Sequence, residues 1–175
     1  MNPHSHPAEP ATGFEAFDLA RKGETENLLI LIKHGLDPDT VDAKGSSLLM
    51  LAAYYGHAEM VSALASRGAD PDLRNPRGLS PLDGAAFKGD LEVISALLAV
   101  GVPVNGQGPD GRTPLMWAAA FNQLRALHLL LDSGADPAIR DCQGADALNH
   151  ARALGASGVE AELAKAASRN GSSTC

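Results

Sequence analysis

The stretch Gly68-Ala69-Asp70-Pro71 returns unchanged further along the chain as Gly134-Ala135-Asp136-Pro137. Related tetrads stand midway between these two and one period before them, as Gly101-Val102-Pro103-Val104 and Gly35-Leu36-Asp37-Pro38. Their glycines stand at positions 35, 68, 101 and 134, which is a 33-residue period. A fixed period of about 20 to 50 residues is typical of proteins built by stacking one small structural unit. The sequence predicts such a stack.

A second marker keeps the same period. A hydroxyl residue begins a short segment that ends in a pair of alanines, as in Ser47 to Ala53, Ser80 to Ala86 and Thr113 to Ala119. The period divides the chain into units 9–41, 42–74, 75–107 and 108–140, followed by a shortened unit 141–168. No insertion or deletion is needed across the first four units, so we expect one repeat domain over residues 9–168.

Each unit carries the signals of two helices joined by turns. Ser47, Ser80 and Thr113 stand where a hydroxyl can cap a helix N-terminus, and Pro81 and Pro114 follow at the first helical position. Gly56 and Gly89 are expected to end first helices, and Gly68, Gly101 and Gly134 to close second helices. Aromatic residues make up only 4% of the chain, so alanine and leucine must build the core. Trp117, which precedes an alanine pair, is also expected to pack in that core.

These motifs resemble the ankyrin repeat. The matching residues include Asp42, Gly45, Ala52, Ala53, Gly56, His57, Glu59, Val61 and Gly68-Ala69-Asp70, then Gly78, Pro81, Leu82, Gly89, Leu91, Glu92 and Val93, and then Gly111, Thr113, Pro114, Leu115 and Leu129-Leu130-Leu131. The resemblance implies an all-α solenoid of helix-turn-helix units with short hairpin-like turns. The small size of the chain and its lack of a second domain resemble free-standing bacterial members of the family.

Two departures from the family pattern stand out. The histidine that usually follows Thr-Pro-Leu is replaced throughout, by Phe17, Met50, Asp83, Met116 and Asn149. Its bridging role is therefore not expected here. Asn122-Gln123 replaces the Gly-His pair of the fourth unit, which predicts a looser or differently capped turn.

The resemblance also implies where a partner binds, namely at the turn tips and the inner face of the first helices. In this register the variable positions are Arg21, Lys22, Lys44, Ser46, Tyr54, Tyr55, Arg77, Leu79, Phe87, Lys88, Asp110, Arg112 and Phe121, followed by Gln143 and Leu154 in the last unit. The set holds six basic residues and one acidic residue, in a chain whose net charge is −7. Tyr, Phe and Arg are frequent binding residues at interfaces, whereas surface aromatics and lysines also serve packing and solubility. We interpret the set as a basic, aromatic face for a protein with an acidic surface.

Other function classes find less support. The acidity of the whole chain opposes nucleic-acid binding through the same basic strip, although salt-dependent binding to generic DNA or RNA would favour it. An enzyme or metal site would need His, Cys or Glu residues converging on the inner face, and the register places almost none there. No cofactor is expected, and the Gly106-to-Gly111 segment lacks the Gly-Lys ending of a phosphate loop.

The ends of the chain are expected to cap the stack. The first unit and the unit 141–168 lack Thr-Pro-Leu, and the last one carries Glu160, Glu162 and Lys165 on its second helix. Residues 1–8, which include His4 and His6, and residues 169–175 are expected to be disordered tails. We see no signal peptide and no apolar run long enough to cross a membrane, so we expect a cytoplasmic monomer.

Overall fold

The computed structural model describes the backbone of residues 13–170 and the side chains of residues 15–165. This part of the chain forms ten α-helices and one isolated antiparallel bridge between Val41 and Ser47. In chain order the helices are α1 Gly13–Lys22, α2 Thr25–Lys33, α3 Leu48–Tyr54, α4 Ala58–Ser66, α5 Pro81–Lys88, α6 Leu91–Ala99, α7 Pro114–Ala120, α8 Leu124–Asp132, α9 Ala147–Ala153 and α10 Ser157–Asn170. The predicted all-α architecture is confirmed.

The helices form two layers. Each odd-numbered helix packs on the odd-numbered helices of the adjacent units, and the even-numbered helices stack in the same way beside them. Within a unit the two helices pack against each other. The odd-numbered helices thus form a layer of first helices, and the connections between units bring their turn tips to one edge of it.

The start of each central first helix follows the predicted capping pattern. Ser47, Ser80 and Thr113 have extended backbone, and their hydroxyl oxygens accept the N–H groups of Met50, Asp83 and Met116, respectively. Pro81 and Pro114 occupy the first turn, where the missing N–H costs no intrahelical hydrogen bond. These contacts set where α3, α5 and α7 begin.

Small residues let the two layers approach closely. Both alanines of each pair in α3, α5 and α7 are buried, as are Leu64, Leu97 and Leu130 of the second helices. One continuous apolar core runs from α1 to α10. Because a single unit cannot enclose its own apolar face, its stability comes from the interface with its neighbours.

The turn at Asn122-Gln123 has a left-handed residue and an interunit hydrogen bond equivalent to those of the Gly-His turn. Asn122 adopts a left-handed backbone with φ of 55°, a conformation that Asn tolerates better than most residues. Gln123 Nε2 donates to the carbonyl oxygen of Phe87 at 3.0 Å, and His57 Nε2 makes the corresponding contact with Arg21 at 2.9 Å. Of the two alternatives that the sequence left open, the structure shows the differently capped turn, because the glutamine amide reaches the same carbonyl position in the preceding unit.

The ends of the domain differ slightly from the predicted boundaries. Helix α10 continues to Asn170 and so includes the first two residues of the stretch 169–175, for which the sequence predicts a tail. The expected N-terminal tail 1–8, with His4 and His6, lies outside the described residues, as do residues 171–175.

Candidate functional site

Carboxylate and amide side chains shape the turn tips between units. Asp42 Oδ1 accepts the backbone N–H groups of Lys44 and Ser46 at 2.9 and 3.0 Å. One unit later, Asn75 Oδ1 accepts those of Arg77 and Leu79 at 2.9 and 3.1 Å. Both turns are therefore closed by the side chain of their first residue. As a result, four predicted site residues project from two turns of the same shape.

A groove of about 650 Å³ lies between these turn tips and the first helices. Helix α3 and the residue that ends it contribute Met50, Leu51, Tyr54 and Tyr55 to the lining, and helix α5 contributes Asp83, Gly84 and Phe87. Trp117 of α7 closes one end, and Arg21 and Asp42 lie at the other. A concave surface of this size, with both apolar and polar walls, fits several side chains of a binding partner.

The structure brings eight of the thirteen predicted site residues to this groove. They are Arg21, Lys44, Ser46, Tyr54, Tyr55, Arg77, Leu79 and Phe87. The other five, Lys22, Lys88, Asp110, Arg112 and Phe121, are not part of the lining. Three of these contact it, because Phe121 packs on Phe87, Arg112 lies over Trp117, and Lys88 lies over Tyr54. Gln143 and Leu154 are exposed in the last unit, beyond the groove.

Aromatic rings form a row along the C-terminal ends of the first helices. The rings of Tyr54 and Tyr55 lie edge to face with centroids 5.4 Å apart, and those of Phe87 and Phe121 lie likewise at 4.3 Å. Trp117 stacks on Phe121 at 6.4 Å. Tyr54 and Tyr55 are about half exposed, at 51% and 48%, and Phe87 and Phe121 are exposed too. Large exposed aromatics in contact with one another are typical of binding surfaces.

Half of the predicted basic residues are already engaged within the molecule. Arg21 pairs with Asp18 and Asp42 at 3.0 and 3.3 Å. Arg112 pairs with Asp110 at 3.5 Å, and Lys88 donates to the carbonyl oxygen of Tyr54. The sequence-based charge count omitted the acidic partners of Arg21, so the local positive charge is smaller than that count suggests.

Two of the three predicted cations that remain available, Lys44 and Arg77, lie at the turn tips, and the third, Lys22, is exposed at the end of α1 outside the groove lining. Within the described residues, the side chains of Lys44 and Arg77 make no ion pair or hydrogen bond, and both are exposed. Among the groove-lining residues, the positive charge that is free to contact a partner therefore lies at the turn tips, on one rim of the groove.

Asp83 lies in the lining of the groove, almost fully buried, at the position where the family pattern has histidine. Its Oδ2 accepts the Ser80 N–H at 2.9 Å and the Arg74 guanidinium at 3.1 Å. Its Oδ1 is buried without a hydrogen-bond partner. Burial raises the pKa of Asp83 above its usual value, although the bonds from Ser80 and Arg74 oppose the shift. This carboxylate is structural, because it closes a capping box with Ser80.

Sequence reasoning missed several lining residues, above all Gly84 and Trp117. The predicted core role of Trp117 is only part of its placement, since it packs on the core but is half-buried and also lines the groove. Leu51, Gly84 and Trp117 all directly precede an alanine pair, and they recur with the period of the repeat. Adding the position before the alanine pair to the set of repeat positions predicted to contact a partner would have identified all three residues.

Other chemistry-bearing residues lie apart from the groove. Cys142 is exposed at a turn tip of the last unit, and His150 pairs with Asp141 at 2.8 Å. Within the described part of the chain, no group of three or more His, Cys, Asp or Glu side chains is arranged to hold a metal ion. None of the described helices combines the length and the apolar character required to cross a bilayer.

A curated relative matches part of the chain. It is described as a putative ankyrin repeat protein of Pseudomonas aeruginosa and is 51% identical over 47 residues. The matched stretch covers 27% of this chain and 28% of the relative, so the similarity spans little more than a quarter of that protein.

The model of the family described as ankyrin repeats in three copies matches residues 16–108, 49–141 and 82–170. The matches begin at positions 16, 49 and 82, so they advance with the same period as the markers in the sequence. Together they cover nearly all of the described helices. The chain therefore belongs to the ankyrin-repeat family.

Proposed function

We propose that this chain is a non-catalytic protein-binding module that holds an acidic surface of a partner protein in the groove, as an adaptor, regulator or inhibitor. The observation that carries the proposal is the pairing of an exposed aromatic row with a rim of unpaired cations. Tyr54, Tyr55 and Phe87 supply apolar contact area, and Lys44 and Arg77 supply charge. Ankyrin repeats are general protein-interaction modules, which supports this class of function.

The arrangement suits recognition of a protein better than that of a small polar metabolite. Aromatic and arginine side chains provide much of the energy at protein interfaces. Unpaired cations at a rim accelerate association with an oppositely charged surface. We further propose that the protein acts as a monomer in the cytoplasm of a bacterium, the kind of organism from which the matched relative comes.

Site-specific cross-linking tests the face as well as the function. A photoreactive phenylalanine analogue at Ser46, which lines the groove, leaves Lys44 and Arg77 in place and should capture a protein partner in cells, whereas the same analogue at Glu92 should not. Glu92 is exposed on helix α6, away from the groove lining. Mass spectrometry then identifies the captured protein and the cross-linked peptide. Capture from Glu92 but not from Ser46 would place the binding surface elsewhere.

Charge reversal provides a second test of the proposed function. The double substitution of Lys44→Glu with Arg77→Glu should remove the partner and leave the melting temperature nearly unchanged, because both side chains are exposed and unpaired. Unchanged partner binding would contradict the proposal. Binding of the wild type to random-sequence DNA or RNA with a steep salt dependence, lost in the same double variant, would favour the nucleic-acid alternative instead.

A further inference from the structure

Gly84 interrupts a row of large side chains on the inner face of the stack. It lies in helix α5, directly before the alanine pair Ala85-Ala86. The same position holds Leu51 in the preceding unit and Trp117 in the following one, and all three residues line the groove. The missing side chain leaves a gap between Leu51 and Trp117, which we call the Gly84 notch.

Neither the backbone nor the packing requires glycine at this position. Gly84 is not among the residues with positive φ, so it has an ordinary helical conformation. A Cβ atom built on it would meet no other atom within 4 Å. Glycine is also a poor residue for a helix interior, because it loses the most backbone entropy on folding. What the glycine provides is the open space itself.

The walls of the notch are apolar and mostly aromatic. Tyr54 and Phe87 lie on the helix ends beside it, and Leu51 and Trp117 flank it along the row. Below it, Asp83 offers no accessible charge, because Oδ2 is occupied by Ser80 and Arg74 and Oδ1 is sealed from solvent. A space with these walls favours a bulky neutral side chain, and aromatic rings pack well against other rings.

The charges around the notch disfavour a cationic side chain as its occupant. The unpaired side chains on the rim are those of Lys44 and Arg77. They would repel a lysine or arginine of a partner and attract carboxylates on either side of the buried residue. The best complement to the groove is thus an aromatic side chain carried by an acidic segment.

We propose that the Gly84 notch seats one aromatic side chain of the partner protein, while acidic residues flanking that side chain contact Lys44 and Arg77. This inference rests on the proposed function, since it specifies the segment that the groove would hold. It identifies Gly84 as a residue that determines specificity by leaving space.

A set of short peptides tests the inference directly. The probes are fluorescein-labelled nine-residue peptides with phenylalanine, alanine or arginine at the centre and glutamate on both sides. We expect the phenylalanine peptide to bind at least tenfold more tightly than the alanine and arginine peptides, by fluorescence anisotropy. Trp117 is the only tryptophan of the chain, so its emission provides a second readout at the groove with an unlabelled peptide.

Filling the notch should abolish this preference without unfolding the protein. Gly84→Leu places in α5 the side chain that Leu51 has in α3. It should lower the affinity for the phenylalanine peptide at least tenfold, and the melting temperature of the variant should be unchanged or higher. Gly84→Ala should cause a smaller loss. Ala99→Leu is the matched control, because it adds the same side chain at an exposed position at the end of α6 and should leave binding unchanged.

The outcomes separate this inference from the proposed function. If all three peptides bind equally, or if Gly84→Leu binds the phenylalanine peptide as the wild type does, the notch is not an anchor site. The groove would still be the binding face if the charge-reversed double variant lost the cross-linked partner. If no peptide binds at millimolar concentration, the inference is overturned, and the cross-linking experiment decides the proposed function separately.

Discussion

The side-chain amide of Gln123 and the carbonyl oxygen of Phe87 are joined by a hydrogen bond of 3.0 Å between residues 36 positions apart in the chain. His57 and Arg21 are joined in the same way, over the same separation, at 2.9 Å. Two chemically different side chains thus make equivalent links between the second-helix start of one unit and the first-helix end of the preceding unit. Such local links are what a stack stabilised by nearest-neighbour contacts requires.

Removing the Gln123 link should weaken the stack. We expect Gln123→Ala to lower the free energy of unfolding by about 1 kcal/mol, the usual net contribution of one hydrogen bond. Gln123→His, which introduces the side chain found at position 57, should retain most of the stability. Urea unfolding followed by circular dichroism measures both. If Gln123→His were as unstable as Gln123→Ala, the stabilisation by this hydrogen bond would depend on more than the presence of a donor nitrogen at position 123.

Gly84 and Gly89 should respond in opposite ways to the same change. Gly84→Ala should raise the free energy of unfolding by about 0.5–1 kcal/mol, because alanine is the better helix residue and its Cβ has room. Gly89→Ala should lower it by more than about 1 kcal/mol, because φ there is 73° and the new Cβ would collide with the Gln123 side chain. Thermal and urea unfolding of both variants measure the two opposite changes in stability. A stability loss in Gly84→Ala would mean that the notch is closed.

The buried carboxylate of Asp83 should make stability depend on pH. Because burial raises its pKa in the folded protein, the ionised form is disfavoured by folding at neutral pH. That penalty shrinks as the pH falls from the raised pKa toward the ordinary value of 3.8, and it is absent below that value. In Asp83→Asn no such titration exists. We therefore expect the wild type to gain stability relative to Asp83→Asn between pH 7 and pH 4, by urea unfolding at several pH values. A constant difference would contradict the raised pKa.

Asp141 should show the reverse dependence. Burial acts to raise its pKa, but the N–H groups of Ala145 and Gln143 and the His150 imidazole outweigh it, so the pKa lies below the ordinary value of 3.8. Its stabilising contribution is then complete above that value and is lost as the pH falls below it.

Asp141→Asn isolates the carboxylate of this site. Asn75 closes the equivalent turn two units earlier through the same pair of backbone bonds, so an asparagine at position 141 should preserve the turn. We expect the variant to unfold at a lower urea concentration than the wild type at pH 7, and the two midpoints to converge as the pH falls below the ordinary pKa of 3.8. Equal midpoints at pH 7 would show that the His150 contact adds nothing.

Much of the candidate site follows from the register of the repeat. Counting positions along each unit placed Lys44, Tyr54, Arg77 and Phe87 on the groove, because equivalent positions of a stacked unit must face the same way. The count did not place Lys22 and Asp110 on the groove, because their side chains are exposed but do not line it. Side-chain direction at a helix end depends on local turn geometry, which a period alone does not specify.

The sequence by itself determined the architecture of this protein. Its regular period, its capping residues and its alanine pairs are local signals that repeat, and stacking is the way such units bury their apolar faces. Only the tertiary structure decided which charges remain available and where the face is open. Asp42 neutralises Arg21 of the preceding unit, and the gap at Gly84 exists because Leu51 and Trp117 are brought to either side of it. Both depend on distances between units, which no single unit of the sequence encodes.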